Sequence, residues 1–219
     1  MGTDDGHSPA AGVAVVVDHV VWDMDGTLLD SSREVPAAFV RAVRVLGGPP
    51  VGAGEVVGAY WRGTPEVILS YLVGRELSAA ECDVYYRELE GVSVSAYPGV
   101  VETLAGLRRA GLPVVVFTGA SGRSARVLLA AAGVAAEVIV GGDEAGRPKP
   151  APDGLLVVAA RLGVGPERLV LVGDSPLDLG SASAAGSVGA AAAWGHMYDA
   201  SVPAEVTLRV PSDVLGLLG

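Results

Sequence analysis

Residues 20–31 read VVWDMDGTLLDS. Apolar and aromatic side chains run from Val20 through Trp22 into Asp23, and a second carboxylate, Asp25, follows two positions later, ahead of Gly26 and Thr27. An uninterrupted apolar run of this kind, from His19 to Asp23, reads as a buried strand. Acids at the end of such a strand are costly unless paired. The rest of the chain must therefore supply a cation and a reason.

Further along, LPVVVF (112–117), EVIVG (137–141), RLVLVGD (168–174), VGAAAAW (188–194) and EVTLRV (205–210) have the same strand character. Between them VETLAGLRRAG, GRSARVLLAAAG, PDGLLVVAARLG and DLGSASAAG carry helical patterns, three of them closed by Gly111, Gly133 and Gly163. Alternating β and α units predict an α/β fold with a doubly wound, Rossmann-like parallel sheet, of which the strand ending at Asp23 is the first member.

The rhythm breaks between residues 33 and 96. REVPAAFVRAVRVLGG, TPEVILSYLVGREL and SAAECDVYYRELE read as helices, and nothing between Asp30 and Tyr97 reads as a strand. GGPPVGAG (47–54) and YPGV (97–100) are turn-rich punctuation. The expected organisation is an α/β core over 13–32 and 97–219, with a small helical insert over 33–96.

Composition narrows the function classes. Fifteen basic against 25 acidic side chains give a formal charge of -10, which disfavours nucleic-acid and anionic-membrane surfaces. One cysteine, Cys82, leaves no internal disulfide and fits a reducing compartment. The acidic opening MGTDDGHSPAAG lacks the positive region of a secretory signal, and the charge-free stretch 179–198 is mostly Gly, Ala and Ser, poor material for a membrane span. The expectation is a soluble, cytoplasmic monomer or homodimer.

In an open parallel sheet, ligands bind outside the carboxyl ends of the strands. The predicted strand ends bring Asp23 and Asp25, then Thr118 and Gly119, then Lys149 in RPKP, then Asp174 and Asp178 in GDSPLD. Four acids against one ammonium do not balance. A hard divalent cation with oxygen ligands would balance them, and Mg²⁺ suits carboxylates shared with phosphate oxygens. Without a Cys or His cluster a zinc site is disfavoured. Lys149 is also the sole lysine among fifteen basic residues, the other fourteen being arginine.

In these four strings, in this order and spacing, the chain resembles the haloacid dehalogenase superfamily in its phosphatase branch: VVWDMDGTLLDS, VVVFTG, RPKPAPDG and LVGDSPLDLGSASAAG. The insert occupies the place of the cap domain in phosphoglycolate-phosphatase-like members. The resemblance implies Asp23 as nucleophile, Asp25 as general acid and base, and Mg²⁺ held by Asp23, the Asp25 carbonyl and Asp174, with Asp178 as a further metal ligand or as a partner to the ligands. It implies Thr118, Gly119 and Lys149 as the phosphate-binding group, and a small phosphorylated metabolite as substrate. Many relatives have Asn after the Thr; here Gly119-Ala120-Ser121 follows, with Ser121 the expected substitute. In the insert, YWRGTP (60–65) offers Arg62 and Thr64 as substrate contacts, with Tyr60 and Trp61 as weaker candidates.

Two other readings share these residues. Sugar phosphomutases of the same superfamily use the Asp pair but usually carry Glu-Asp where this chain has Gly173-Asp174. Response-regulator receivers also cluster Asp, Thr and Lys on a doubly wound sheet for phospho-Asp signalling, but are usually shorter and lack a helical insert.

Overall fold

The structure, a computed structural model, describes residues 17–219, so the expected start of the core at residue 13 lies outside the described residues. Six strands form one parallel sheet: β1 (His19–Trp22), β4 (Val115–Phe117), β5 (Val138–Val140), β6 (Leu169–Gly173), β7 (Val188–Ala192) and β8 (Val206–Leu208). Their spatial order is β5-β4-β1-β6-β7-β8. The chain builds outward from β1 in one direction, returns, and builds from β6 in the other. The point of reversal lies between β1 and β6, where a doubly wound sheet opens a crevice at the strand carboxyl ends.

Successive strand residues face opposite layers, and both layers are covered. Val20, Trp22, Val116, Val170 and Val172 belong to the core that includes α5 (Val100–Arg109) and α6 (Gly122–Ala131). Val21, Val115, Phe117 and Leu171 pack instead with α7 (Asp153–Leu162) and α8 (Pro176–Ala185). Burial on both faces is why these strands are continuous apolar runs instead of alternating ones.

Between β1 and α5 the chain makes four helices: α1 (Glu34–Val45), α2 (Ala53–Val57), α3 (Pro65–Val73) and α4 (Ala79–Glu90). α4 begins at Ser78, whose hydroxyl and the Glu81 carboxylate reciprocally cap the first turn. Two corrections apply to the sequence reading here. The 47–54 stretch is not all turn, because α2 starts at Ala53. The segment expected to lack strands ends in β3 (Ser95–Ala96), paired antiparallel with β2 (Leu29–Asp30), Leu29 opposite Ala96 and Asp30 opposite Ser95. Two-residue strands leave no periodicity to read. This ribbon carries both crossings between the helical insert and the sheet. Among the described residues no helix is long and apolar enough to cross a membrane.

Candidate active site

The ladder runs one residue past β1: the Asp23 amide donates to the Val172 carbonyl at 2.8 Å. Asp23 is thereby fixed at the crevice beside Asp174, the residue after β6. Thr118 is placed likewise beyond β4, its amide donating to the Val140 carbonyl at 3.1 Å. After Asp23 the chain turns sharply, with the Met24 carbonyl accepting from the amides of Leu28 (3.0 Å) and Leu29 (2.9 Å). Gly26 sits in that turn at φ +84, and a Cβ there would lie 2.2 Å from Asp174 Oδ2. Only glycine serves both needs. Gly26→Ala is therefore expected to lower unfolding stability by at least about 2 kcal/mol and to remove most catalysis, checked by denaturant midpoint and phosphate release.

Lys149 is the hub. Its ammonium donates to Asp23 Oδ1 (2.7 Å), Asp178 Oδ1 (2.6 Å) and the Phe117 carbonyl (3.0 Å). Burial alone would depress its basicity, but Asp178 and Asp23 outweigh that and hold it above the ordinary lysine value. The other oxygen of Asp178 accepts from the Ser175 amide (3.1 Å) and hydroxyl (2.6 Å), closing the first turn of α8. Both Asp178 oxygens are thus committed to the protein. Gly173 lacks a side chain at the spot where a Cβ would lie 2.3 Å from Asp178 Cγ, so an acid at 173 and this placement of Asp178 exclude one another.

The carboxylates are not neutralised by Lys149 alone. Burial pushes Asp23 well above the usual carboxylate range, Lys149 opposing and Asp178 and Asp174 adding to the rise. Burial lifts Asp174 to about 6, against the pull of the Met197 amide, with Asp178 adding to the rise. Carboxylate oxygens of Asp23, Asp174 and Asp178 lie within 4.8 Å of one another. Asp23 uses one oxygen on Lys149, and Asp174 one on the Met197 amide at 2.9 Å. Both residues line the crevice, and with a second oxygen each they make a donor set of hard oxygens with surplus negative charge. That set fits Mg²⁺.

Asp25 stands slightly apart. Its Oδ1 accepts from Ser31 Oγ at 2.5 Å, and burial raises its pKa against that bond. Thr118 Oγ1 accepts from the Ala120 amide at 3.1 Å, which leaves its own proton to give. Gly119 is exposed, with open space where a side chain would be.

A cavity of about 130 Å³ joins these groups to the insert: Asp23, Asp25, Thr118, Gly119, Lys149, Asp174 and Asp178 all line it. Three expectations change. Arg62 and Thr64 do not line the cavity; Tyr60, Gly63 and Pro65 of the same segment do. The Arg62 guanidinium instead stacks on Tyr71 (3.5 Å to the ring centre) and Trp61 (4.6 Å). Ser121 is buried and spent on structure, accepting from the Ser124 amide at 3.2 Å and bonding the Tyr86 hydroxyl of α4 at 2.7 Å. The sequence reading gave no role to His196, a scattered histidine, and passed over Gly195 and Met197. Gly195 packs against Asp174, His196 Nδ1 lies 3.9 Å from Asp174 Oδ2, and the Met197 amide binds the same oxygen. Their one signal was position, just beyond the β7 carboxyl end.

Comparison with known proteins shows the family and the fold. The family model of haloacid dehalogenase-like hydrolases matches residues 17–186. The phosphoglycolate phosphatase of Shigella boydii is 32% identical, the match covering 91% of this chain and 92% of that one. The plasmid phosphoglycolate phosphatase of Cupriavidus necator is 34% identical over 80% of each chain. In fold, the crystal structure of CbbY from Rhodobacter sphaeroides with phosphate superposes at a TM-score of 0.74, 21% identity, and 92% and 99% coverage. The chain belongs to the haloacid dehalogenase-like hydrolase family. Within it, the chain is a hydrolase of the phosphoglycolate-phosphatase-like branch.

Proposed function

We propose that this chain is a Mg²⁺-dependent phosphatase that hydrolyses a small-molecule phosphate monoester through an aspartyl-phosphate on Asp23. The observation that carries the reading is Lys149 bonded at once to Asp23 and Asp178, beside Asp174 and at the switch point of the sheet. Asp23 and Asp174 would hold the ion with the Asp25 carbonyl. Asp178, its oxygens already committed, would act by orienting Lys149. When bound, Mg²⁺ supplies positive charge opposite the phosphoryl oxygens and offsets the carboxylates.

Asp23 Oδ2 would hold the ion, and Lys149 steadies Oδ1, the oxygen presented to phosphorus. That oxygen forms a bond to phosphorus as the ester P–O bond breaks, and the departing oxygen takes its proton from Asp25, whose burial favours the protonated form. Asp25, now a carboxylate, accepts a proton from water as the water oxygen attacks phosphorus. The Asp23–phosphorus bond then breaks, releasing phosphate and restoring both acids. The Thr118 hydroxyl and the Gly119 amide steady the phosphoryl oxygens. The helices over 33–96 act as a cap that keeps bulk water from the intermediate.

Family membership sets aside the receiver alternative, and the absence of an acid at Gly173 favours hydrolysis over phosphomutase chemistry. The expected result is multiple-turnover phosphate release from p-nitrophenyl phosphate, lost on chelation and restored by Mg²⁺. Stoichiometric labelling without turnover would sink the enzymatic reading, and turnover indifferent to chelation would sink the metal.

A further inference from the structure

Away from the phosphoryl site, the same cavity is walled by carbon. Val35 and Phe39 of α1, Ile68 of α3, Tyr85 of α4 and Leu128 of α6 line it, with Tyr60 beside them. Phe39 stacks on Tyr85, ring centres 4.1 Å apart, so this wall is rigid as well as apolar. Lys149 is the only lysine or arginine in the lining, and its bonds to Asp23, Asp178 and the Phe117 carbonyl account for all three of its protons. Of the nearby arginines, Arg41 pairs with Glu88, Arg123 with Asp83, and Arg62 lies on its two rings with Nε unpartnered; none of them, nor the exposed Arg33 and Arg126, lines the cavity.

Resting on the phosphatase reading above, we propose that the substrate's leaving group is a compact, uncharged, largely hydrocarbon alcohol, and that esters bearing a second anion are discriminated against. A carboxylate or second phosphate attached to the leaving group would come to rest against Phe39, Ile68 and Leu128 with no cation to meet it. Burying an unpaired anion there costs several kcal/mol, which converts to a preference of at least about 100-fold for the neutral group. Size points the same way. An apolar cavity of roughly 150 Å³ accepts benzene, and this cleft of about 130 Å³, partly open to solvent, is on the scale of one six-membered ring. Tyr60 and Tyr85, the phenols in the lining, carry no charge to meet an anion either. Relatives named for phosphoglycolate act on an ester whose second group is a carboxylate; on this wall that carboxylate has no partner.

The test compares cyclohexyl phosphate, phosphoglycolate and the carboxamide of phosphoglycolate with the whole chain and Mg²⁺. The expected kcat/KM for cyclohexyl phosphate exceeds that for phosphoglycolate at least about 100-fold, and the carboxamide exceeds its own acid at least about tenfold. Phosphoglycolate as the equal or better substrate overturns the proposal. Calorimetric binding to Asp23→Asn separates the two readings. If nothing is hydrolysed but cyclohexyl phosphate binds at least about tenfold tighter than phosphoglycolate, the leaving-group inference stands and the hydrolytic one falls. Equal affinity, or binding of neither, overturns the inference. In Val35→Lys, which places an ammonium on this wall, the preference is expected to narrow by at least about tenfold. An unchanged ratio in a folded variant counts against the proposal.

Discussion

Replacing Asp23 with Asn is expected to abolish phosphate release, a loss of at least about 10⁴-fold in kcat, while leaving thermal stability undiminished. The two halves of this prediction have different causes. The amide keeps the size of the carboxylate but is a far poorer nucleophile toward phosphorus, so the covalent step has no substitute. Stability is expected to hold because Asp23 is a buried acid whose ionisation the fold penalises: burial raises its pKa well above the usual range despite the bond to Lys149. Replacing it removes one of three crowded negative charges, and Lys149 keeps Asp178 and the Phe117 carbonyl. The measurements are steady-state phosphate release and the unfolding midpoint without Mg²⁺. Residual turnover within about tenfold of the parent would reject Asp23 as nucleophile. A collapse of the midpoint would mean that activity was lost through the fold instead.

How much of this was legible beforehand follows from what sequence patterns record. A continuous apolar run ending in acids marks both a doubly covered strand and its functional end, so β1 and β6 and the positions of Asp23 and Asp174 could be read together. Lys149 stood out by being alone among arginines. The substrate wall could not be read in this way. Val35, Phe39, Ile68 and Tyr85 follow helical spacing whether a helix or a cavity faces them, so they pass for ordinary core. Arg62 could not be placed for the converse reason: its charge says what it can bind, but not that it lies on the rings of Trp61 and Tyr71 outside the cavity lining. Ser121 had a suitable hydroxyl, yet capping α6 and bonding Tyr86 use it up. Met197 acts through its backbone amide, which no side-chain pattern encodes.

Lys149→Arg is expected to lower kcat/KM at least about 100-fold, although charge is conserved. Three acceptors, Asp23 Oδ1, Asp178 Oδ1 and the Phe117 carbonyl, converge on a single nitrogen at 2.6–3.0 Å, and the lysine side chain is only 7% exposed. A guanidinium is planar, wider, and spreads its donors over three nitrogens, so it cannot place one at that point without displacing Asp23. The Phe117 ring, 4.4 Å from the ammonium, closes one side. Lys149→Met should be worse in a different way. It leaves three buried carboxylates with no internal cation, a cost of about 3–5 kcal/mol, and the midpoint of this variant should respond more steeply to added Mg²⁺ than the parent's, since any cation that binds the folded state restores part of the lost stability. The two substitutions thus separate shape from charge: Arg fails on placement while keeping most of the stability, and Met fails on both. A fully active Lys149→Arg enzyme would show that a bare positive charge suffices near Asp23, and the point convergence around the ammonium would lose its catalytic meaning.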